Sequence, residues 1–201
     1  MALTGRIAFR VVHASSFLLV AHPAFAHVGA GFGGGFFSGF THPLLGPDHL
    51  LAMVSVGIWG AELGAPAIWA LPITFPLIMA IGGAAGIVGV PLPGTEFIVA
   101  CSVIVLGILV ATSFRLSLPF ALIIIGIFAF AHGHAHGSEM PNSADALAFS
   151  VGFVIATGLL HAVGICIGLL IRWPAGYSVV RVLGGLSALF GTYLIAQQLI
   201  A

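Results

Sequence analysis

Apolar runs of about twenty residues recur along the chain, separated by short breaks that carry most of the charge. A helix rises about 1.5 Å per residue, so runs of this length can cross the ~30 Å hydrocarbon core of a bilayer. The pattern predicts six spans, over residues 36–61, 67–90, 97–114, 119–136, 146–171 and 177–200. Pro43, Gly46 and Pro47 interrupt the first of them. Proline removes a backbone donor and kinks a helix, and irregular backbone at membrane depth must line a polar cavity, so this span is expected to be broken. The expected fold is an all-α integral membrane protein, a six-helix transmembrane bundle with a broken first helix.

The residues ahead of the spans have the order of a secretory signal peptide: Arg6 and Arg10, an apolar run over 11–20, then Ala24-Phe25-Ala26. Cleavage after residue 26 leaves a transmembrane domain of residues 27–201 that begins at His27. Residues 27–39, rich in glycine and phenylalanine, read as lying at or dipping into the membrane interface.

Composition sharpens the class. Of the 201 residues 60% are hydrophobic and 5% charged, and the mean hydropathy is +1.23, which excludes a soluble domain. Zero net charge and the lack of lysine remove the basic footprint that a nucleic-acid partner requires. With the chain starting outside, Arg115, Arg172 and Arg181 fall on or beside the cytoplasmic side, while Glu96, Glu139 and Asp145 lie in outer loops. A bacterial inner-membrane location with both mature termini periplasmic follows. Trp59, Trp69, Trp173 and Tyr177 flank the inner loops, where the headgroup region suits them. Gly82-x3-Gly86, Gly164-x3-Gly168 and Gly184-x3-Ala188 read as helix-packing faces. Cys101 and Cys166 fall at opposite ends of their helices and read as small apolar packers.

The chemistry concentrates in two polar clusters. The first is His42-Pro43-Leu44-Leu45-Gly46-Pro47-Asp48-His49, inside the first span. Ionisable groups there mark function, because hydrocarbon neither solvates nor screens them. In an ideal helix His42 and His49 would stand about 10 Å apart along the axis, so the break must bring them together. The second cluster, His132-Gly133-His134-Ala135-His136-Gly137-Ser138-Glu139, closes the fourth span at the same membrane face. His132 and His136 share a helix face and can converge on one ion; His134 points away, and the glycines are expected to fray the helix. Imidazoles with one or two carboxylates and no thiolate select a late divalent transition metal such as nickel, zinc, copper or iron. Asp48 and Glu139 serve either as direct ligands or as outer groups that orient a histidine. His161, about fifteen residues into the fifth span, reads either as a pathway residue or as a donor to a neighbouring carbonyl. His27 could add a ligand together with a freed α-amine.

These residues resemble the HupE/UreJ family of bacterial membrane proteins. The resemblance rests on the signal peptide, on the H-x5-D-H pattern running from His42 to His49 and on into Leu50-Leu51-Ala52-Met53, and on His136-Gly137-Ser138-Glu139. Ala156-Thr157-Gly158-Leu159-Leu160-His161 is similar to the family's histidine-bearing fifth span. The resemblance implies a link to nickel supply for hydrogenase or urease maturation. The shorter H-x4-D-H signature of nickel and cobalt permeases implies that the motif selects the metal. The extra histidine of His132-Gly133-His134 departs from the family's usual run and leaves the number of ligands open.

The reading is a nickel permease, with cobalt or zinc as alternative cargo. Capture falls to His42, Asp48, His49, His132 and His136 and passage to His161, with Glu139, His134 and His27 as further candidates. A small number of ligands per station allows release. No prosthetic group and no enzymatic activity are expected; the partners are the ion and the lipid bilayer, and a homo-oligomer is left open. One rival is a periplasm-facing metal receptor or assembly factor that binds without conducting. A di-iron membrane enzyme is remote, because the further histidine boxes it needs are missing. Gly185-x-Ser187-Ala188 has no histidine in a later helix to serve a rhomboid-type serine.

Overall fold

The computed structural model of the chain describes residues 32–139 and 146–200. The expected signal peptide and His27 lie outside the described residues. Among the described residues seven α-helices follow one another: α1 (Phe32–Leu45), α2 (Pro47–Leu63), α3 (Ala67–Ile87), α4 (Thr95–Thr112), α5 (Leu118–Glu139), α6 (Ala146–Gly168) and α7 (Pro174–Ile200). A 3-10 turn, Leu169–Arg172, joins the last two, and the described residues include no strand. Five helices, α3 to α7, are long and apolar enough to cross a membrane; α1 and α2 meet that test only as a bent pair. This is a multi-pass membrane architecture. Its outer surface is apolar, as lipid requires: Trp69, Ile73, Leu77 and Ile81 form a stripe along α3, each 57–63% exposed.

The interrupted run resolves into two helices that meet at Gly46 with a bend of 76°. Pro47 occupies the first turn of α2, where its missing donor costs nothing, and Gly46 precedes it in an extended conformation with φ −81° and ψ 106°. The Gly46 N–H still bonds the His42 carbonyl at 3.0 Å, which closes α1 and starts the turn. α1 therefore crosses the first part of α6 while α2 runs alongside the rest of it.

Glycine lets helix pairs touch backbone to backbone: Gly39 of α1 lies against Phe149 of α6, and Gly152 of α6 against Phe36 and Phe40. Gly57 of α2 lies against His161, Gly164 and Ile165 of α6, and Gly168 lies against Ile58 and Ala61, so α2 and α6 run parallel. Gly82 meets Phe130, and Gly86 meets His134 and Ser138, which makes α3 and α5 parallel as well. Gly107 faces Gly184 and Ala188, and Gly191 faces Val103 and Ile104, so α4 and α7 are antiparallel. All three small-residue motifs expected from the sequence lie in these contacts. The start of α2, the end of α5 and the start of α6 gather at one end of the bundle, where the histidines are. At the other end the Trp59 indole N–H donates to the Phe114 carbonyl at 3.1 Å.

Two expectations need correction. Trp59 is not a headgroup anchor: it is fully buried and ties α2 to the end of α4, whereas Trp69 and Trp173 are 63% and 60% exposed. The glycines near the end of α5 do not fray it, since the helix continues to Glu139. Gly133 and Gly137 rest on the backbones of Met79 and Gly83 in α3, so helix contact replaces what the missing side chains would have packed.

Adding a methyl group at Gly57 would drive it into the His161 carbonyl, whereas Gly126 and Gly158 have open space around the same position. Gly57→Ala should lower the melting temperature of the detergent-solubilised protein, in line with an overpacking cost of about 1–3 kcal/mol. Gly126→Ala and Gly158→Ala should leave it unchanged or raise it, through an improved helix propensity of up to ~1 kcal/mol.

Candidate metal centre

His49 lies in the first turn of α2, one residue after Asp48, and is 7% exposed. Asp48 Oδ1 accepts the His49 backbone N–H at 2.9 Å and stands 2.7 Å from His49 Nδ1. A carboxylate at a helix N-terminus is favoured by the helix dipole, so Asp48 is held where it can orient the ring. With Nδ1 directed at Asp48, Nε2 is left to face the bundle interior, the arrangement by which outer carboxylates fix metal-binding histidines.

His136 enters from α5 and His42 from the last turn of α1. His49 Nε2 and His136 Nε2 stand 2.5 Å apart, closer than an ordinary N–H···O bond of about 2.7–3.2 Å. The rings of His42 and His136 are 4.7 Å apart and those of His42 and His49 5.7 Å, far less than the spacing in an uninterrupted helix. His42, His49 and His136 can each offer one nitrogen, all within 4.8 Å of one another. Nitrogens bound at about 2.0–2.1 Å in tetrahedral geometry lie about 3.3 Å apart, so a small separation of His49 from His136 admits an ion. Phe149 and Phe153 of α6 wall the cluster, Phe153 at 4.6 Å from the His136 ring and Phe149 at 5.8 Å from His42. These rings make that side of the cluster apolar, and a less polar surrounding strengthens electrostatic interactions.

His132 sits one turn before His136 and is fully buried, its ring 5.2 Å from that of His49. Its Nδ1 donates to the Phe128 carbonyl at 2.8 Å, which leaves Nε2 as a buried acceptor with no hydrogen-bond partner among the described residues. His132 thus falls outside the group of three. His161 is 1% exposed, and neither ring nitrogen has a hydrogen-bond partner among the described residues. The backbone of Pro72 lies beside it without completing a well-aligned bond. A buried polar group left unpaired costs about 1–3 kcal/mol, so these nitrogens are not kept for stability.

The other candidates separate by geometry. His134 faces away from the cluster: its Nε2 donates to the Val90 carbonyl at 2.6 Å and Nδ1 lies 3.4 Å from Thr95 Oγ1, which ties α5 to the loop after α3. Glu139 ends α5, and its side chain, like His27, lies outside the described residues. Two features escape a reading by composition and charge. Phe75 lies in ring contact with both His132 and His161. Glu62, near the end of α2, is 5% exposed; its Oε1 accepts from the Ser113 hydroxyl at 3.1 Å and Oε2 has no hydrogen-bond partner among the described residues. The Pro72-x3-Pro76 pair was the signal for the first, since two prolines in one span free two carbonyls.

An apolar helical bundle with a histidine triad closing on one point defines the class, a multi-pass membrane protein with an internal centre able to bind a metal ion. A family model described as HupE / UreJ protein matches residues 15–194. Protein HupE of Rhizobium leguminosarum bv. viciae is 43% identical over 177 residues, which cover 88% of this chain and 93% of that relative. The chain belongs to the HupE/UreJ family. No solved structure matches it.

Nickel binding to the purified protein, followed by equilibrium dialysis, should weaken at least about tenfold in each of His42→Ala, His49→Ala and His136→Ala. Asp48→Asn should weaken it about 10–100-fold, the range for outer groups that orient a ligand. His134→Ala should leave affinity unchanged and lower the melting temperature, through loss of one hydrogen bond of about 1 kcal/mol.

Proposed function

We propose that the protein is a permease of the bacterial inner membrane that takes up divalent nickel from the periplasm for hydrogenase or urease maturation. In this reading α1 and α2 together form the first of six spans, and the histidine end of the bundle faces the periplasm. Arg115 and Arg172, which belong to loops at the opposite end, then fall in the cytoplasm, as the charge bias of such membranes favours.

The observation that carries the reading is the run of inward-facing histidines. From the triad of His42, His49 and His136 it continues to His132 and, beyond Phe75, to His161. An ion leaving water at the triad exchanges hydration for imidazole, while Asp48 offsets part of its charge. Three neutral ligands bind without closing a full structural shell, so the ion can leave again. His132 Nε2 is the next free nitrogen, and His161 is the station beyond it. Imidazole ligation accommodates cobalt and zinc too, and selection for nickel would rest on the geometry the triad allows.

A second reading, a periplasm-facing receptor that binds nickel without conducting it, is favoured by one specific feature: Phe75 fills the space between His132 and His161. The two readings diverge at His161. In proteoliposomes the wild-type protein should accumulate labelled nickel saturably. His161→Ala should lower uptake by about tenfold or more while binding at the outer triad persists; His49→Ala should lose both. Wild-type protein that binds nickel yet accumulates none above empty liposomes, with or without a proton gradient, would establish the receptor reading.

A further inference from the structure

Phe75 is fully buried in the middle of α3. Its ring centroid lies 5.5 Å from that of His132 and 5.5 Å from that of His161, edge to face in both cases. Such spacing is direct ring contact, so no ligand or water fits between Phe75 and either imidazole. On each side of the ring stands a buried nitrogen without a partner: Nε2 of His132 outward, and both nitrogens of His161 inward. An apolar ring in contact with two such imidazoles separates two places where a ring nitrogen can hold a cation.

The backbone around Phe75 is unusual in the same place. Pro72 and Pro76 both lie inside α3. Pro76 has no N–H to give to the Pro72 carbonyl, and Pro72 none for Ile68, so the turn that carries Phe75 and the turn before it each lack a ladder bond. The Pro72 backbone faces the His161 ring. The freed carbonyl oxygen is therefore available to a cation at His161, and the weakened turn can shift at a lower cost than a regular one.

Resting on the transport reading, we propose that Phe75 is the gate of the pathway. It divides an outer site, made by the histidine triad and His132, from an inner divalent-cation site made by His161 and the Pro72 carbonyl, and the Pro72–Pro76 turn is the part that moves to open it. With the gate closed the outer site fills from one side only. Displacement of the ring lets the ion pass from His132 to His161, and its return leaves the ion on the inner side.

The test separates the gate from transport itself. In a Cys101→Ala, Cys166→Ala background, His161→Cys provides a thiol behind the gate for a small membrane-impermeant thiol reagent added from the outer face. Labelling should be slow with Phe75 in place and at least about tenfold faster in Phe75→Ala, with Phe75→Leu between them as a folded, volume-retaining control. Independently, with the native histidines and nickel as the probe, Phe75→Ala should speed passive nickel efflux from loaded proteoliposomes. Pro76→Ala, which restores the donor to Pro72, should slow uptake several-fold at unchanged outer-site affinity. Equal labelling rates and unchanged fluxes in the folded Phe75 variants overturn the gate, and unchanged uptake in Pro76→Ala overturns the moving turn. If the wild-type protein moves no nickel but Phe75→Ala exposes the thiol, the gate stands and the permease reading falls.

Discussion

An imidazole side chain is short, so rings carried on α1, α2 and α5 can meet only if the helices that position them approach until their backbones touch. Glycine makes that possible. Gly39 and Gly152 seat α1 on α6, Gly57 and Gly164 seat α2 on the same helix, and Gly83, Gly133 and Gly137 seat α5 on α3. In lipid no hydrophobic force draws one apolar helix to another, so this close fit is what holds the bundle together. The same contacts set the positions of His42, His49 and His136, and structure and site share one cause.

The bend at Gly46 is the second element of that design. A straight helix would spend its length crossing the membrane and keep His42 two turns from His49. Turning by 76° sends α1 across α6 and returns His42 to the cluster. Asp48 then sits at the start of a helix, where a negative charge is welcome, and serves His49 from there. Below the triad, along the proposed pathway, stand single imidazoles, an aromatic ring and a carbonyl freed by proline. On the proposed transport reading, groups that would be costly defects in a static bundle become places where a moving ion is briefly held.

Much of this could be read along the chain. Apolar runs located the membrane helices within a few residues, and Pro43, Gly46 and Pro47 located the break. The seven-residue step from His42 to His49 required that break to shorten the distance, and the i, i+4 spacing put His132 and His136 on one face while turning His134 away. What could not be read were facts of packing. Trp59 carries no sign in its neighbours that α4 will cover it. Gly133 and Gly137 look like helix breakers until α3 is laid against them. That His136, rather than His132, completes the triad depends on where α1 ends, and α1 is placed by Phe36, Phe40 and Phe149 backbones meeting at glycine. Phe75 looked like one more apolar residue in an apolar span.

The central claim is that a nickel ion in this bundle is held by the three imidazoles that converge from α1, α2 and α5. X-ray absorption of the nickel-loaded, full-length protein in membranes addresses it directly. The account predicts a first shell of nitrogen and oxygen at about 2.0–2.1 Å with outer-shell scattering from about three imidazoles, falling by one in each single alanine variant of the triad. A nickel spectrum without imidazole scattering, or one that the three substitutions leave unchanged, would contradict it.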